Sequence, residues 1–258
     1  MGKNKLKKFA EMENIPFVLQ YPWGAIQKSP FPYKGKWDTF FGNSNPIVLE
    51  LGCGKGEYTV GLARKNPEMN FIGIDVKGAR MWSGAKIALN DGLKNVAFLR
   101  TDIELLPEFF EKGEVKEIWI TFPDPQMQKP RKRLTGTRML GLYKMIMAPD
   151  GTVNLKTDSP FLYTYTCMLC QDNELSVLYD SPDIYNDNQA VLPDGVREIK
   201  THYESQWIAR GLNIKYLSFR LDNRKPLEEP EGASEIEKDT YRSYSRGYIQ
   251  MPEIYDND

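Results

Sequence analysis

Residues 47–56 read Ile47-Val48-Leu49-Glu50-Leu51-Gly52-Cys53-Gly54-Lys55-Gly56. Four apolar side chains and one acid make a run of the length of a buried strand. Three glycines at alternate positions follow, and a helical pattern begins at Glu57. A strand that feeds a glycine turn opening a helix brings backbone close to a ligand, because glycine has no Cβ to block the approach. The spacing decides which ligand. Gly-x-Gly-x-Gly is not the dinucleotide pattern, since Glu57 stands where Gly-x-Gly-x-x-Gly needs its third glycine. No Lys-Ser or Lys-Thr pair follows, which excludes a P-loop.

Outward from this turn, strand-like and helix-like segments alternate. Residues 57–66 read as a helix ending before Pro67, and Phe71 to Asp75 as a second strand. Residues 77–90 carry Ala79, Trp82, Ala85 and Leu89 on one helical face. Val96 to Arg100 and Glu117 to Thr121 read as strands three and four. Met139, Leu142, Tyr143, Ile146 and Met147 mark a helix, followed by Thr152 to Lys156 as strand five. A helix over 160–172 starts at Pro160, and Leu175–Tyr179 and Ile214–Leu221 complete seven strands. This alternation predicts an α/β domain with a mostly parallel seven-stranded sheet, helices on both faces, and ligands at the C-terminal ends of the strands.

Residues 1–46 are expected to form a flexible basic arm led by Lys3, Lys5, Lys7 and Lys8, then an irregular segment laid on the domain. Residues 47–221 form the domain, with a polar insertion over 181–196 that includes Asn186, Asp187, Asn188 and Gly195. Residues 222–258 read as an acidic, mobile tail. That tail holds 10 acidic and 5 basic side chains, which leaves 25 acidic and 29 basic on the other 221 residues. A net charge of −1 therefore hides a basic body, and an acidic tail can compete with an anionic partner for a basic face. No apolar run has the length of a membrane span, and no signal peptide is expected. Three cysteines, Cys53, Cys167 and Cys170, fit a reducing, cytoplasmic compartment. Cys167 and Cys170 form a lone C-x-x-C inside a helical pattern with no further ligands nearby, so they read as buried thiols and no metal is expected.

Asp75 ends the second strand 19 residues after Gly56, where a carboxylate can accept two hydrogen bonds from a ribose diol. Asp102 follows the third strand, where it can accept from an adenine amine. Glu50 can reach a cofactor or the glycine loop. Each acid can alternatively cap its own loop. A second constellation spans Ile118 to Leu134: a hydrophobic strand ends in Phe122-Pro123-Asp124-Pro125, and Lys129, Arg131, Lys132 and Arg133 follow. Prolines on both sides of Asp124 make a rigid mount for one carboxylate. Four cations at the rim of the crevice suit a nucleic-acid backbone.

The pattern Glu50-x-Gly52-x-Gly54-x-Gly56 resembles the nucleotide loop of Rossmann-like class I S-adenosylmethionine-dependent methyltransferases. Over residues 45–221 the chain resembles one family among them, the bacterial tRNA (guanine-N7)-methyltransferases. The stretches that carry the resemblance are 50–56, Ile72-Gly73-Ile74-Asp75, Phe122-Pro123-Asp124-Pro125 with its basic run, Lys156-Thr157-Asp158, and Thr201-His202-Tyr203-Glu204-Ser205-Gln206-Trp207-Ile208-Ala209-Arg210-Gly211. The last is similar to the family's T-x-[FY]-E-x-[KR]-[FW]-x-x-[KR]-G element.

The resemblance implies S-adenosylmethionine as cofactor and tRNA as partner, with methyl transfer to N7 of a guanine in the variable loop, position 46 in standard tRNA numbering, by a cytoplasmic monomer or homodimer that meets no membrane. It places Glu50, Gly52, Gly54, Gly56, Asp75, Asp102 and Asp124 at the cofactor, with Asp124 also catalytic. It places Asp158, Thr201 and Glu204 on the guanine side and residues 131–133 in the RNA-contacting run. The chain departs from the family at Gln126, where an aromatic is usual, and at Gln206, where a basic residue is usual. The family's lysine falls on Gln128 or, with a one-residue slip, on Lys129.

Neutral guanine N7 has a lone pair and no proton, so its attack on a sulfonium methyl needs alignment and a negative field near the ring rather than a general base. Thr201 can donate to guanine O6 or brace Glu204. The same Thr-x-x-Glu spacing is that of a capping box, and a capped helix can still present Glu204. His202 reads as a solvent-facing helix residue. Two other functions remain open on the residues alone: a same-fold methyltransferase acting on a small molecule or protein, which leaves the basic run idle, and a non-catalytic RNA-binding protein, which leaves the glycine turn and its acids unexplained.

Overall fold

The structure is a computed structural model, described over residues 3–187, 191–222 and 225–241. Asn188 of the polar insertion and the tail beyond residue 241 lie outside the described residues, as do the side chains of Lys3 and Lys5.

Eight strands form one sheet: β1 (Val18–Gln20), β2 (Ile47–Leu51), β3 (Asn70–Ile74), β4 (Val96–Arg100), β5 (Val115–Thr121), β6 (Met147–Thr157), β7 (Val177–Ser181) and β8 (Lys215–Arg220). Their order is β1-β4-β3-β2-β5-β6-β8-β7. The first six in that order run parallel, and β8 pairs antiparallel with both β6 and β7. The helices are α1 (Lys3–Glu13), α2 (Trp23–Ile26), α3 (Trp37–Phe41), α4 (Glu57–Lys65), α5 (Gly78–Asn90), α6 (Thr137–Lys144), α7 (Pro160–Asp172) and α8 (His202–Ile208).

Alternation along the strands sends successive side chains to opposite faces. Leu49 and Leu51 of β2 join a core with α6 and α7, through Leu140, Tyr143, Leu162 and Tyr165. Val48 on the same strand joins the other core with Tyr58 and Leu62 of α4 and Met81 and Ala85 of α5. The helix after β2 and the helix after β5 thus lie on opposite faces, although β2 and β5 are neighbours. This is the topological switch point, and it opens a crevice beyond the carboxyl ends of these two strands.

Two segments differ from the expectation. Residues 1–46 are not an irregular wrapper: Val18 to Gln20 pair in parallel with Phe98 to Arg100 and add an eighth strand at the sheet edge. The segment is also pinned by Trp37, whose indole N–H donates to the Phe109 carbonyl at 3.0 Å and whose ring stacks on Phe110. Residues 225–241, assigned to a mobile tail, pack against the body through Leu227, Ala233 and Ile236. Smaller shifts occur where β6 starts at Met147 and runs through Pro149-Asp150-Gly151, and where β7 begins two residues later than the apolar pattern suggests.

Candidate active site

The glycine loop is built by backbone geometry. Gly52, Gly54 and Gly56 have φ of 73°, 55° and 71°, all left-handed, where glycine alone is unstrained. The N–H groups of Gly52 and Cys53 donate to the Ile74 carbonyl at 2.8 and 3.0 Å, which ties the turn to the end of β3. A Cβ on Gly56 would lie 2.6 Å from the Phe98 ring of β4 and 3.3 Å from the Gly84 Cα of α5, so this glycine also lets the loop close on both. A Cβ on Gly52 would meet nothing within 4 Å, which leaves that backbone open toward a ligand.

In front of the loop lies a cleft of about 520 Å³, within the size range of small-ligand sites. Gly52, Asp75, Asp102, Phe122, Asp124 and Lys132 line it, with Leu134 and Met139 as apolar wall. Asp75 accepts the N–H of Gly54 at 2.9 Å and of Lys77 at 2.7 Å, one on each carboxylate oxygen. Each oxygen keeps a second lone pair for a ligand hydroxyl. Asp102 caps a short 3-10 helix by accepting from Glu104 N–H at 3.1 Å and still faces the cleft. Both acids thus hold loop backbone and still line the cleft.

Asp124 is exposed at the cleft and accepts the Gln126 N–H at 3.0 Å. Its neighbours Phe122 and Gln126 have φ of 49° and 48°, conformations that cost L residues energy. The Phe122 N–H is anchored on the Lys156 carbonyl at 2.8 Å, which extends the β5–β6 ladder up to the loop. Gln128, Lys129, Arg131 and Lys132 are exposed on the rim.

Arg133 differs from its neighbours in the run. It is 4% exposed, with its guanidinium 4.9 Å from the Phe161 ring centroid and 4.1 Å from that of Tyr165. It donates to the carbonyls of Pro125 and Gln126, both at 3.3 Å. The rim therefore carries three of the four expected cations, and the fourth clamps the loop that mounts Asp124. An arginine fork lying on aromatic faces reaches these carbonyls from the α7 side, in addition to the Lys129 N–H that the Gln126 carbonyl accepts at 3.0 Å.

Glu50 also turns inward. The Thr59 N–H donates to its Oε2 at 2.8 Å, the Thr59 hydroxyl to the same oxygen, and the Thr121 hydroxyl to Oε1 at 2.8 Å. It joins β2, β5 and the start of α4 beneath the loop. Burial raises its pKa to about 7.

Thr201 and Glu204 form a reciprocal capping box at the start of α8, with 3.1 Å from Glu204 N–H to Thr201 Oγ1 and 3.3 Å from Thr201 N–H to Glu204 Oε2. Glu204 has no solvent exposure, and its Oε1 takes Lys156 Nζ and the Tyr185 hydroxyl, both at 2.7 Å. Lys156 is equally buried, donates to the Val196 carbonyl at 2.6 Å, and has its pKa pushed down to about 8 by burial. This ion pair was not anticipated; a lysine in the middle of an apolar strand, Leu155-Lys156-Thr157, is the signal that could have found it. Asp158 follows directly, buried, and accepts the Tyr241 hydroxyl at 2.6 Å. His202 is exposed, with Gln206 one turn away at 3.2 Å.

A family model described as "Putative methyltransferase" matches residues 44–217. A tRNA (guanine-N(7)-)-methyltransferase of Bacteroides thetaiotaomicron is 55% identical over 247 residues, 95% of this chain and 96% of the relative. One from Porphyromonas gingivalis is 57% identical over 91% of this chain and 96% of the relative. This chain belongs to the tRNA (guanine-N7)-methyltransferase family. Among solved structures, the 16S rRNA methyltransferase KamB superposes with a TM-score of 0.54 at 16% identity, over 72% of this chain and 92% of that one. At that identity the likeness speaks for the fold alone, and the fold is that of class I methyltransferases. Among the described residues no helix is long and apolar enough to cross a membrane.

Proposed function

We propose that the protein transfers a methyl group from S-adenosylmethionine to N7 of a guanine in the tRNA variable loop, position 46 in standard tRNA numbering, in the cytoplasm. The observation that carries this reading is one cleft onto which a left-handed glycine loop, Asp75, Asp102 and the rigidly mounted Asp124 all open, beside exposed Lys129, Arg131 and Lys132. Family membership supports it from outside the geometry.

The residues fit the cofactor. The open backbone at Gly52 and the spare lone pairs of Asp75 suit a ribose diol beside a glycine turn, and Asp102 suits an exocyclic amine. When bound, S-adenosylmethionine supplies an electrophilic methyl group on a positively charged sulfur. The chain's task is alignment and field. Asp124 places negative charge where positive charge develops on the purine, and the flanking Pro123 and Pro125 with the Gln126 N–H hold it there. No group is needed to take a proton from N7. Asp158 is the guanine-side acceptor in this reading, while Thr201, Glu204 and Lys156 hold α8 in place behind it. Lys129, Arg131 and Lys132 meet the phosphate backbone, and Gln128 lies between them and the mount of Asp124.

The test is incubation with labelled S-adenosylmethionine and unmodified tRNA transcripts, then cleavage specific for N7-methylguanine. Label at the variable-loop guanine, lost when that base is replaced by adenine, is the expected result. Label at a different base atom would overturn the N7 assignment, and cofactor binding without labelled tRNA would overturn the substrate.

A further inference from the structure

Residues 225–241 run back along α7 and reach the far end of that helix. At the helix C-terminus, Asn173 holds Glu228 by both backbone groups, donating to its carbonyl at 2.9 Å and accepting its N–H at 2.8 Å. Glu229 then accepts the Tyr165 hydroxyl at 2.8 Å and the Thr137 hydroxyl at 2.6 Å. At the helix N-terminus, Asp239 accepts the Ser159 hydroxyl and the Phe161 N–H, the latter at 3.1 Å, where a 13-residue helix leaves N–H groups unpaired. The Asp239 N–H also meets Met127 Sδ at 3.2 Å, in the loop that follows Asp124.

Two residues on, Tyr241 donates its hydroxyl to Asp158 Oδ2 at 2.6 Å, and its ring stands edge-on to Trp207 of α8 at 5.5 Å. Asp158 has no solvent exposure. A carboxylate at the end of the strand next to the Asp124 strand is thereby sealed by a phenol. A purine that approached Asp158 with an N–H would need the oxygen that Tyr241 holds.

We propose that residues 225–241 are a strap whose Tyr241 closes the target-base subsite, and that guanine binds by taking Asp158 from the Tyr241 hydroxyl. The inference rests on the guanine-side role given to Asp158 above. The exchange is chemically reasonable in direction. Tyr241 gives Asp158 one donor, whereas guanine carries N1–H and the exocyclic amine side by side, a pair whose spacing matches the two oxygens of a carboxylate. Until a base takes it, that Asp158 oxygen stays bonded to the Tyr241 hydroxyl. The closed strap reduces apparent affinity by the fraction of molecules in which it is open, as any occluded site does.

The test compares the full-length protein with Tyr241→Phe, which keeps the ring against Trp207 and removes only the donor. The expected result is a KM for unmodified tRNA lowered about tenfold, since the Tyr241 hydroxyl no longer competes with the base for this carboxylate. A structural role for Tyr241 would not lower KM. In parallel, hydrogen exchange of residues 225–241 in the unaltered protein should speed up when tRNA is added with S-adenosylhomocysteine. An unchanged or raised KM in Tyr241→Phe, or a strap whose exchange is unchanged or slowed by tRNA, overturns the proposal. Failure of the unaltered protein to methylate tRNA guanine would instead overturn the functional reading and take this inference with it. The two failures are thus separable by the wild-type assay.

Discussion

Glu204→Gln separates two roles for the Thr201–Glu204 element. Three donors converge on the carboxylate: Lys156 Nζ and the Tyr185 hydroxyl on one oxygen, and the Thr201 N–H on the other. A glutamine has a single acceptor oxygen. If that oxygen faces Lys156, the amide nitrogen faces the Thr201 N–H and half of the capping box is lost, at about 1 kcal/mol. The attraction to Lys156 is lost in either orientation, and breaking a buried pair by removing one partner costs about 3–5 kcal/mol. Lys156 is held charged against a burial penalty that already lowers its pKa to about 8 beside Glu204, so without that partner it sheds its proton closer to neutral pH. At roughly 2–4 °C per kcal/mol for a chain of this size, the melting midpoint should fall by about 10 °C. Thermal unfolding followed by circular dichroism reads this directly. The double variant Lys156→Met with Glu204→Gln should recover part of the loss, because the orphaned ammonium is gone. A midpoint that drops by less than about 3 °C, with tRNA methylation nevertheless abolished, would refute the reasoning and return Glu204 to the guanine.

Three further outcomes follow from the same structure. Glu50 holds its proton up to about pH 7 when folded, against an ordinary value of 4.5 in the unfolded chain, so unfolding releases a proton and stability falls as pH rises through that window, by up to about 3 kcal/mol; Glu50→Gln should flatten urea-denaturation midpoints between pH 5 and 8, and an unchanged slope would show that another group titrates. Arg133→Lys keeps charge but loses the fork that binds the Pro125 and Gln126 carbonyls, so kcat should fall about tenfold or more while S-adenosylhomocysteine affinity changes little; a pure loss of tRNA affinity with full kcat would place Arg133 on the phosphate backbone instead. Gly56→Ala adds a Cβ 2.6 Å from Phe98 at a left-handed position, and should cost at least about 2 kcal/mol by chemical denaturation.

The glycine turn, the alternating strands and the row of acids were legible because each is local: periodicity of two, helical spacing, and a turn whose backbone only glycine adopts. The inward direction of Glu50 was not legible, since the sequence placed it at the cofactor and only the packing of Val48 against α4 shows which face its strand parity gives it. What spacing could not carry were pairings across the chain. Lys156 and Glu204 are 48 residues apart in sequence and meet only because β6 and α8 do. Arg133 reads as one more cation until Phe161 and Tyr165, one turn apart on α7, arrive beneath it. β1 has three half-buried residues and no periodic pattern of its own, so only β4 makes it a strand. The segment 225–241 has an acidic composition that suggests solvent, yet a few apolar anchors and side-chain bonds to α7 hold it.

The register of the sheet accounts for the arrangement of the acids. Leu51 aligns with Ile74 on one side and with Ile120 on the other, Ile74 aligns with Leu99, and Ile120 with Leu155. The parallel strands therefore end together, and the residues just beyond those ends form a row: Asp102 after β4, Asp75 after β3, the glycine turn after β2, Asp124 after β5 and Asp158 after β6. The first three acids open onto the cleft, and the fourth is covered by Tyr241. The cleft is open at the glycine turn, and beyond Asp124 residues 225–241 lie over the row with Tyr241 bonded to Asp158, so that this segment, rather than the sheet, sets where the open cleft stops.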